Sequence, residues 1–138
     1  MTAPRVSTIE FNVTSLGTSN SLSMAVGMMP YAATITSVVY IPSATQAGGV
    51  AANGRMMSLF NRAGLASSGT GAVTLATLLL TSGAAAGTLN DNIPASLTLT
   101  SAAALTLAAG DTLEWHSSHR TSGLEDPGGR GIVTFARI

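Results

Sequence analysis

Four side chains able to bind a metal or move a proton fall close together in AGDTLEWHSSH: Asp111, Glu114, His116 and His119, with Ser117 and Ser118 between the imidazoles. Glu114, His116 and His119 spell E-x-H-x-x-H, a mixture of carboxylate oxygen and imidazole nitrogen that suits zinc and related divalent ions. On an extended segment Glu114 and His116 share a face, and His119 would have to fold back from the following loop to complete a triad. The helical spacing of H-E-x-x-H is absent. Asp111 and Glu114 lie three apart and so point to opposite faces of a strand, which prevents shared acid–base work. Ser117 and Ser118 flank His116, but no G-x-S-x-G elbow presents a nucleophile. Glycine-rich GGRG (Gly128–Gly131) lacks the lysine and the strand-to-helix step of a phosphate cradle. No cysteine is present, so thiolate ligands, thiol nucleophiles and disulfides are excluded together. The expectation is a polar strand face, with no catalytic set, no metal and no cofactor.

That face needs a strand to carry it. Leu105–Ser117, LTLAAGDTLEWHS, holds the clearest strand entry: Ala108-Ala109-Gly110-Asp111 reads as a tight turn, with Gly for backbone freedom and Asp to bond nearby amides. Beyond it Leu113 and Trp115 point one way, and Thr112, Glu114 and His116 the other. Trp115, the only Trp, is expected as a core anchor; stacking on a sugar is the minority reading, shared with Tyr31 and Tyr40.

The same alternation runs along the chain. After an arm at Met1–Arg5, Val6–Val13 sets Ile9, Phe11 and Val13 against Thr8, Glu10 and Asn12. Ser21–Val26 alternates again and stops before Met28-Met29-Pro30. Ala33–Ile41 is rich in β-branched residues, and Arg55–Arg62 places Met57 and Leu59 as core candidates. Ala72–Thr81 could be helix by length and Leu content, but its flanking Gly and recurring Thr favour a strand. Ile93, Ala95, Leu97 and Leu99 alternate with polar residues, and Ala102–Leu107 is a helical turn or a short strand. Thr112–Ser117 is a strand, and Val133 and Phe135 mark the last one. Small-residue loops are expected over Pro42–Gly54, Gly64–Gly71, Ser82–Asn92 and His119–Gly131. About eight strands at turn-punctuated intervals predict an all-β fold: one antiparallel, jelly-roll-like β-sandwich over residues 6–138, preceded by the arm at 1–5.

Composition limits the partners. In 138 residues only 9% are charged, against roughly 25% in ordinary soluble domains. All six cations are Arg, scattered from Arg5 to Arg137, and net charge is zero. No basic patch exists to neutralise phosphates, so nucleic acid is not an expected partner. The densest apolar run, Ala72–Leu80, falls far short of the roughly 20 residues of a membrane-spanning helix, and no membrane is expected either. A surface this poor in charge relies little on repulsion for solubility, which favours burial against copies or partners.

Several stretches taken together carry a resemblance. They are ITSVVYIPSA (Ile35–Ala44), RMMSLFNRAG (Arg55–Gly64), GTGAVTLATLLLTSG (Gly69–Gly83), LTLTSAAALTLAAGDTLEW (Leu97–Trp115) and DPGGRGIVTFAR (Asp126–Arg137). In spacing and texture, from about Ala33 onward, the chain resembles small virion proteins of tailed bacteriophages, particularly those infecting actinobacteria, of the capsid decoration (cement) or minor structural type. The resemblance implies a β-sandwich on the outside of an icosahedral head, often a homotrimer, bridging subunits of the major capsid protein. A tail- or fibre-associated domain binding host glycan is the alternative that shares this fold. On the decoration reading the stretch Met1–Val13 and one loop edge contact the lattice. The interface residues are then Arg5, Ile9 and Phe11, with Glu114 and His116 lining a subunit contact.

Overall fold

The computed structural model describes residues 5–46, 54–62, 72–80, 89–120 and 124–138. Those residues hold ten strands: β1 Val6–Val13, β2 Leu22–Met28, β3 Ala33–Pro42, β4 Gly54–Asn61, β5 Val73–Leu80, β6 Ala95–Ser96, β7 Thr98–Leu99, β8 Thr106–Leu107, β9 Thr112–Arg120 and β10 Gly129–Arg137. Their pairing is nested. β1 pairs antiparallel with β10 from Val6↔Ala136 to Val13↔Gly129. β2 pairs with β9, β3 with both β6 and β8, and β4 with β5. The chain is thus a long antiparallel ribbon doubled back on itself. Rolling that ribbon lays β10 on β3 and β9 on β4, and two five-stranded sheets result: β1-β10-β3-β6 with β8 beside β3, and β2-β9-β4-β5-β7. This is the jelly-roll connection of an all-β antiparallel sandwich, as alternation and turn spacing predict, with ten strands where about eight were expected because Ala95–Ser96, Thr98–Leu99 and Thr106–Leu107 pair as separate short strands.

The core lies between the sheets, where the inward half of each alternating strand meets its opposite number. β1 contributes Phe11 and Val13, β3 Ile35, Val38 and Tyr40, β4 Met57 and Leu59, β9 Leu113 and Trp115, and β10 Val133 and Phe135, all buried. Trp115 is fully enclosed. Its ring lies 5.2 Å from Phe11 and stacks on Tyr40 at 5.7 Å, with 24° between the planes. That enclosure makes it a core anchor and removes it, with fully buried Tyr40, as a platform for sugar. Among the described residues its indole N–H finds no acceptor.

Four boundaries differ from the alternation-based reading. β9 runs on to Arg120 and β10 begins at Gly129, so the loop expected over His119–Gly131 is much shorter. His119 and Arg120 still pair with Arg55 and Gly54 although their side chains are exposed and polar, because backbone pairing is indifferent to side-chain polarity. β2 continues through Met28 over an irregularity between Ala25 and Gly27. Ile93 is exposed and outside any strand, and the run after it is split. Ala95–Ser96 pairs with β3 in one sheet and Thr98–Leu99 with β5 in the other, so the segment crosses the open edge between sheets at buried Leu97. Residues 102–105 are a turn, with Ala104 N–H donating to Ser101 O, followed by β8 at Thr106–Leu107. Most of the arm (1–4) and most of the expected loops (47–53, 63–71 and 81–88) lie outside the described residues.

Candidate functional site

The Ala108–Asp111 turn forms as its composition dictates. Gly110 takes φ 89°, Asp111 N–H donates to Ala108 O at 3.2 Å, and the Asp111 carboxylate accepts from Ala108 N–H at 2.9 Å. Asn61 Nδ2 also donates to Asp111, at 3.0 Å. Asp111 is therefore a turn residue tied to the end of β4 and takes no part with Glu114.

From that turn β9 presents Glu114 and His116 on the outer face of the second sheet. Neither is a loose surface group. Arg62, just past β4 and itself buried, holds Glu114 with two nitrogens, Nε on Oε2 and Nη2 on Oε1 at 2.6 Å. Ser23 of β2 donates to Glu114 Oε1 at 2.5 Å, and His116 Nε2 also meets Oε1. The His116 ring packs edge-on against Phe60, with centroids 4.6 Å apart. Hydrogen bonding from Arg62 is the main cause that lowers the Glu114 pKa to about 2, with Ser23 and His116 adding to it against the opposing effect of burial. The same bond raises the Arg62 pKa. The arginine facing Glu114 thus belongs to the same chain.

This arrangement looks like a Ser-His-Glu relay but has the wrong connectivity. A relay needs the carboxylate on one imidazole nitrogen and the hydroxyl on the other. Here Ser23 Oγ (3.1 Å) and Glu114 both meet His116 Nε2, and the hydroxyl donates to the carboxylate itself. His119 does not join: its Nδ1 lies 2.9 Å from Ser21 Oγ. Among the described residues no three His, Cys, Asp or Glu side chains gather as a metal site. What the cluster does is bind β2, β9 and the end of β4 together across the outer face.

Of the residues expected at an interface, Arg5 and Ile9 remain at the surface, Arg5 exposed and Ile9 half-buried at the sandwich edge, where it faces Gly27 of β2. Phe11 is 7% exposed and belongs to the core.

A second polar cluster went unnoticed in the sequence. Arg55, at the start of β4, has no exposed surface. Its Nε donates to Leu124 O at 2.7 Å, Nη2 to Gly17 O and Asn20 O at 3.0 and 2.9 Å, and Nη1 to Ser117 Oγ at 3.1 Å. Ser117 in turn donates to Asp126 Oδ2 at 2.6 Å, while Asp126 Oδ1 accepts from Tyr40 Oη at 2.6 Å and Gly128 N–H at 3.0 Å. Burial, helped by the Asp126 charge, drives the Tyr40 pKa far upward, so it stays a phenol that donates. Burial lowers the Arg55 pKa, and the negative charge of Asp126 opposes that. The network fastens the β1–β2 and β9–β10 loops to one end of the core.

The two ends of the sandwich differ. Among the described residues five large apolar side chains are exposed: Val6, Met28, Val73, Ile93 and Ile138. Four of them share the end where β1, β3 and β5 begin and β2, β4 and β10 finish. Pairings Val6↔Ala136, Met28↔Thr112 and Asn61↔Val73 place three there, and Ile138 N–H donates to Ala32 O in the β2–β3 turn. Ile93 sits at the opposite end, beside the Asn92 N–H to Pro42 O bond.

No family model matches the chain, and no curated protein matches it. Among solved structures it is similar to a chain in the structure of infectious bursal disease virus Gx strain, at 13% identity and a TM-score of 0.39, over 97% of this chain and 32% of that one. The chain therefore spans about a third of that neighbour's length.

Proposed function

We propose that this protein is a non-enzymatic virion structural protein of a tailed phage, a decoration (cement) protein that binds the outside of the icosahedral head and bridges major capsid subunits. The observation that carries the reading is the polarity of the sandwich: a charge-poor jelly roll with Val6, Met28, Val73 and Ile138 exposed at one end. Exposed apolar side chains gathered in one region mark a surface built to be covered. A lattice of capsid subunits would cover it, with homotrimer contacts covering further charge-poor surface. Arg5 and Ile9 lie at or beside that end and would join the contact. Glu114 and His116 are held by Arg62 and Ser23 of their own chain, so they would support the interface from behind.

Neither a nucleic acid nor a membrane is part of this reading, and no cofactor is required. The tail or fibre alternative loses the aromatic groups it would have used, since Trp115 and Tyr40 are buried and Tyr31 is occupied by Ser7 at 2.6 Å and by the Arg137 guanidinium over its ring. Purified protein added to undecorated heads is expected to saturate regular lattice positions seen by cryo-electron microscopy. Heads that stay bare at saturating protein would sink the reading.

A further inference from the structure

The outer face of the first sheet ends in an open cleft of about 530 Å³, lined by Asn12, Ile41, Pro42, Ser43, Asn92 and Arg130 among others. Its floor is set by register. Asn12 of β1 pairs with Arg130 of β10, which pairs with Ile41 of β3, so the three form one cross-strand row. The backbones of β10 and β3 approach closely beside it: a methyl group on Gly129 would run into Ile41 O. Asn92 closes the far side in a left-handed conformation, φ 58°, the only non-glycine residue with positive φ among those described. Its N–H donates to Pro42 O at 3.0 Å, which holds it there. Such a conformation costs of order 1 kcal/mol and persists where surrounding structure enforces it.

The polar side chains around this cleft have fewer partners than those around Glu114. Among the described residues neither the Asn12 nor the Asn92 carboxamide has a hydrogen-bond partner. Among the described residues Arg130 meets only Glu10, at 3.9 Å, too far for a hydrogen bond, with both side chains 52% exposed. Ser43 Oγ donates to Pro127 O and Gly128 O, leaving its lone pairs as acceptors. The cleft therefore offers two amides that both donate and accept, one guanidinium, one hydroxyl acceptor and an apolar patch of Ile41 and Pro42. Its volume falls in the range of small-molecule sites and greatly exceeds an inorganic anion. A single cation without an aromatic is a poor match for nucleic acid.

We propose that this cleft binds an acidic saccharide. The carboxylate of a uronic-acid-type ring pairs with Arg130 in the forked geometry that a guanidinium favours. The ring hydroxyls bond the amides of Asn12 and Asn92, and its C–H face rests on Ile41 and Pro42. The cleft lies at the end of the sandwich opposite Val6, Met28 and Ile138, so a particle-bound copy would hold it outward, but the binding itself does not depend on the lattice.

The experiment is an amide-resolved NMR titration of the full chain with sodium D-glucuronate, alongside D-glucose and sodium acetate. Glucuronate is expected to shift the resonances of Asn12, Ser43, Asn92 and Arg130 at millimolar concentration, and more strongly than either control. Arg130→Gln is expected to weaken glucuronate about tenfold, the loss of one charge-assisted pair, without changing the glucose response. Asn92→Gly removes an amide while relieving the left-handed strain; it should melt no lower than the parent yet bind more weakly. Absence of shifts at these positions, equal shifts with acetate, or unchanged binding by Asn92→Gly would each overturn the assignment.

Discussion

Glu114 accepts from Arg62, Ser23 and His116 at once, and the ionised form is what those bonds stabilise. A carboxyl whose folded pKa (about 2) lies below its unfolded value of about 4.3 adds stability that is complete above the unfolded value and is lost as pH falls toward the folded one. Glu114→Gln should thus lower stability by about 2 kcal/mol at pH 7, and the gap to the parent should close between about pH 4.5 and pH 2 in thermal melts at each pH. The buried pair behaves differently, because Arg55 and Asp126 are joined through the Ser117 hydroxyl rather than by a direct contact. Asp126→Ala leaves a buried guanidinium uncompensated and should cost about 3–5 kcal/mol in urea unfolding. Adding Arg55→Met should restore part of that loss, since the stranded charge goes with it; strictly additive costs would count against the coupling. The sequence could be read for the outward pairing of Glu114 with His116, because alternation alone sets it. It could not be read for Arg55, since arginine is ordinarily exposed and the groups that satisfy it, at Gly17, Asn20, Ser117 and Leu124, lie 35 to 69 residues away.

β1 and β10 pair without a break over eight residues, as β4 and β9 do, and β1 and the second half of β10 were legible as alternating runs. What alternation could not reveal is the fit between them. Gly131 sits opposite Phe11, and a methyl group there would enter the Phe11 ring, which in turn packs on Trp115. Glycine at 131 is thus required by an aromatic on the neighbouring strand rather than by any turn. Gly131→Ala should destabilise by about 1–3 kcal/mol through overpacking, and Phe11→Leu in the same chain should recover part of it. A melting temperature unchanged by Gly131→Ala would mean that the ring moves aside freely. Elements with weak alternation fared worse. The run from Ile93 to Thr100 has the periodicity of one strand, yet it serves as an edge for both sheets in turn, and only the tertiary pairing of Ser96 with Val39 and of Thr98 with Thr77 reveals the switch. The far end of β9 was lost for a related reason. Ser118, His119 and Arg120 carry no apolar signal, and their strand character comes wholly from Met56, Arg55 and Gly54 across the ladder.

On the scale of the whole molecule, the fold class followed from strand count and turn spacing, whereas the difference between the two ends did not. The reason is geometric: Val6, Met28, Val73 and Ile138 are spread over the chain, and only the nested pairing of a rolled ribbon brings them to one end. That arrangement makes a specific statement about how a head would be held. With six acidic and six basic side chains and no net charge, the protein has little long-range attraction to offer a lattice. Attachment through the apolar end should therefore survive a rise in salt from about 50 to 500 mM, conditions in which an attachment resting on exposed ion pairs weakens. Val6→Ser with Met28→Ser should leave the melting temperature nearly unchanged, because both side chains are more than half exposed (65% and 63%), while lowering occupancy on heads at least about tenfold. Occupancy is measured by co-sedimentation with undecorated heads at both salt concentrations. If the double variant binds like the parent and salt releases both, the contact is made by charged groups such as Arg5, Arg130 or Arg137, and the apolar end faces something other than the capsid.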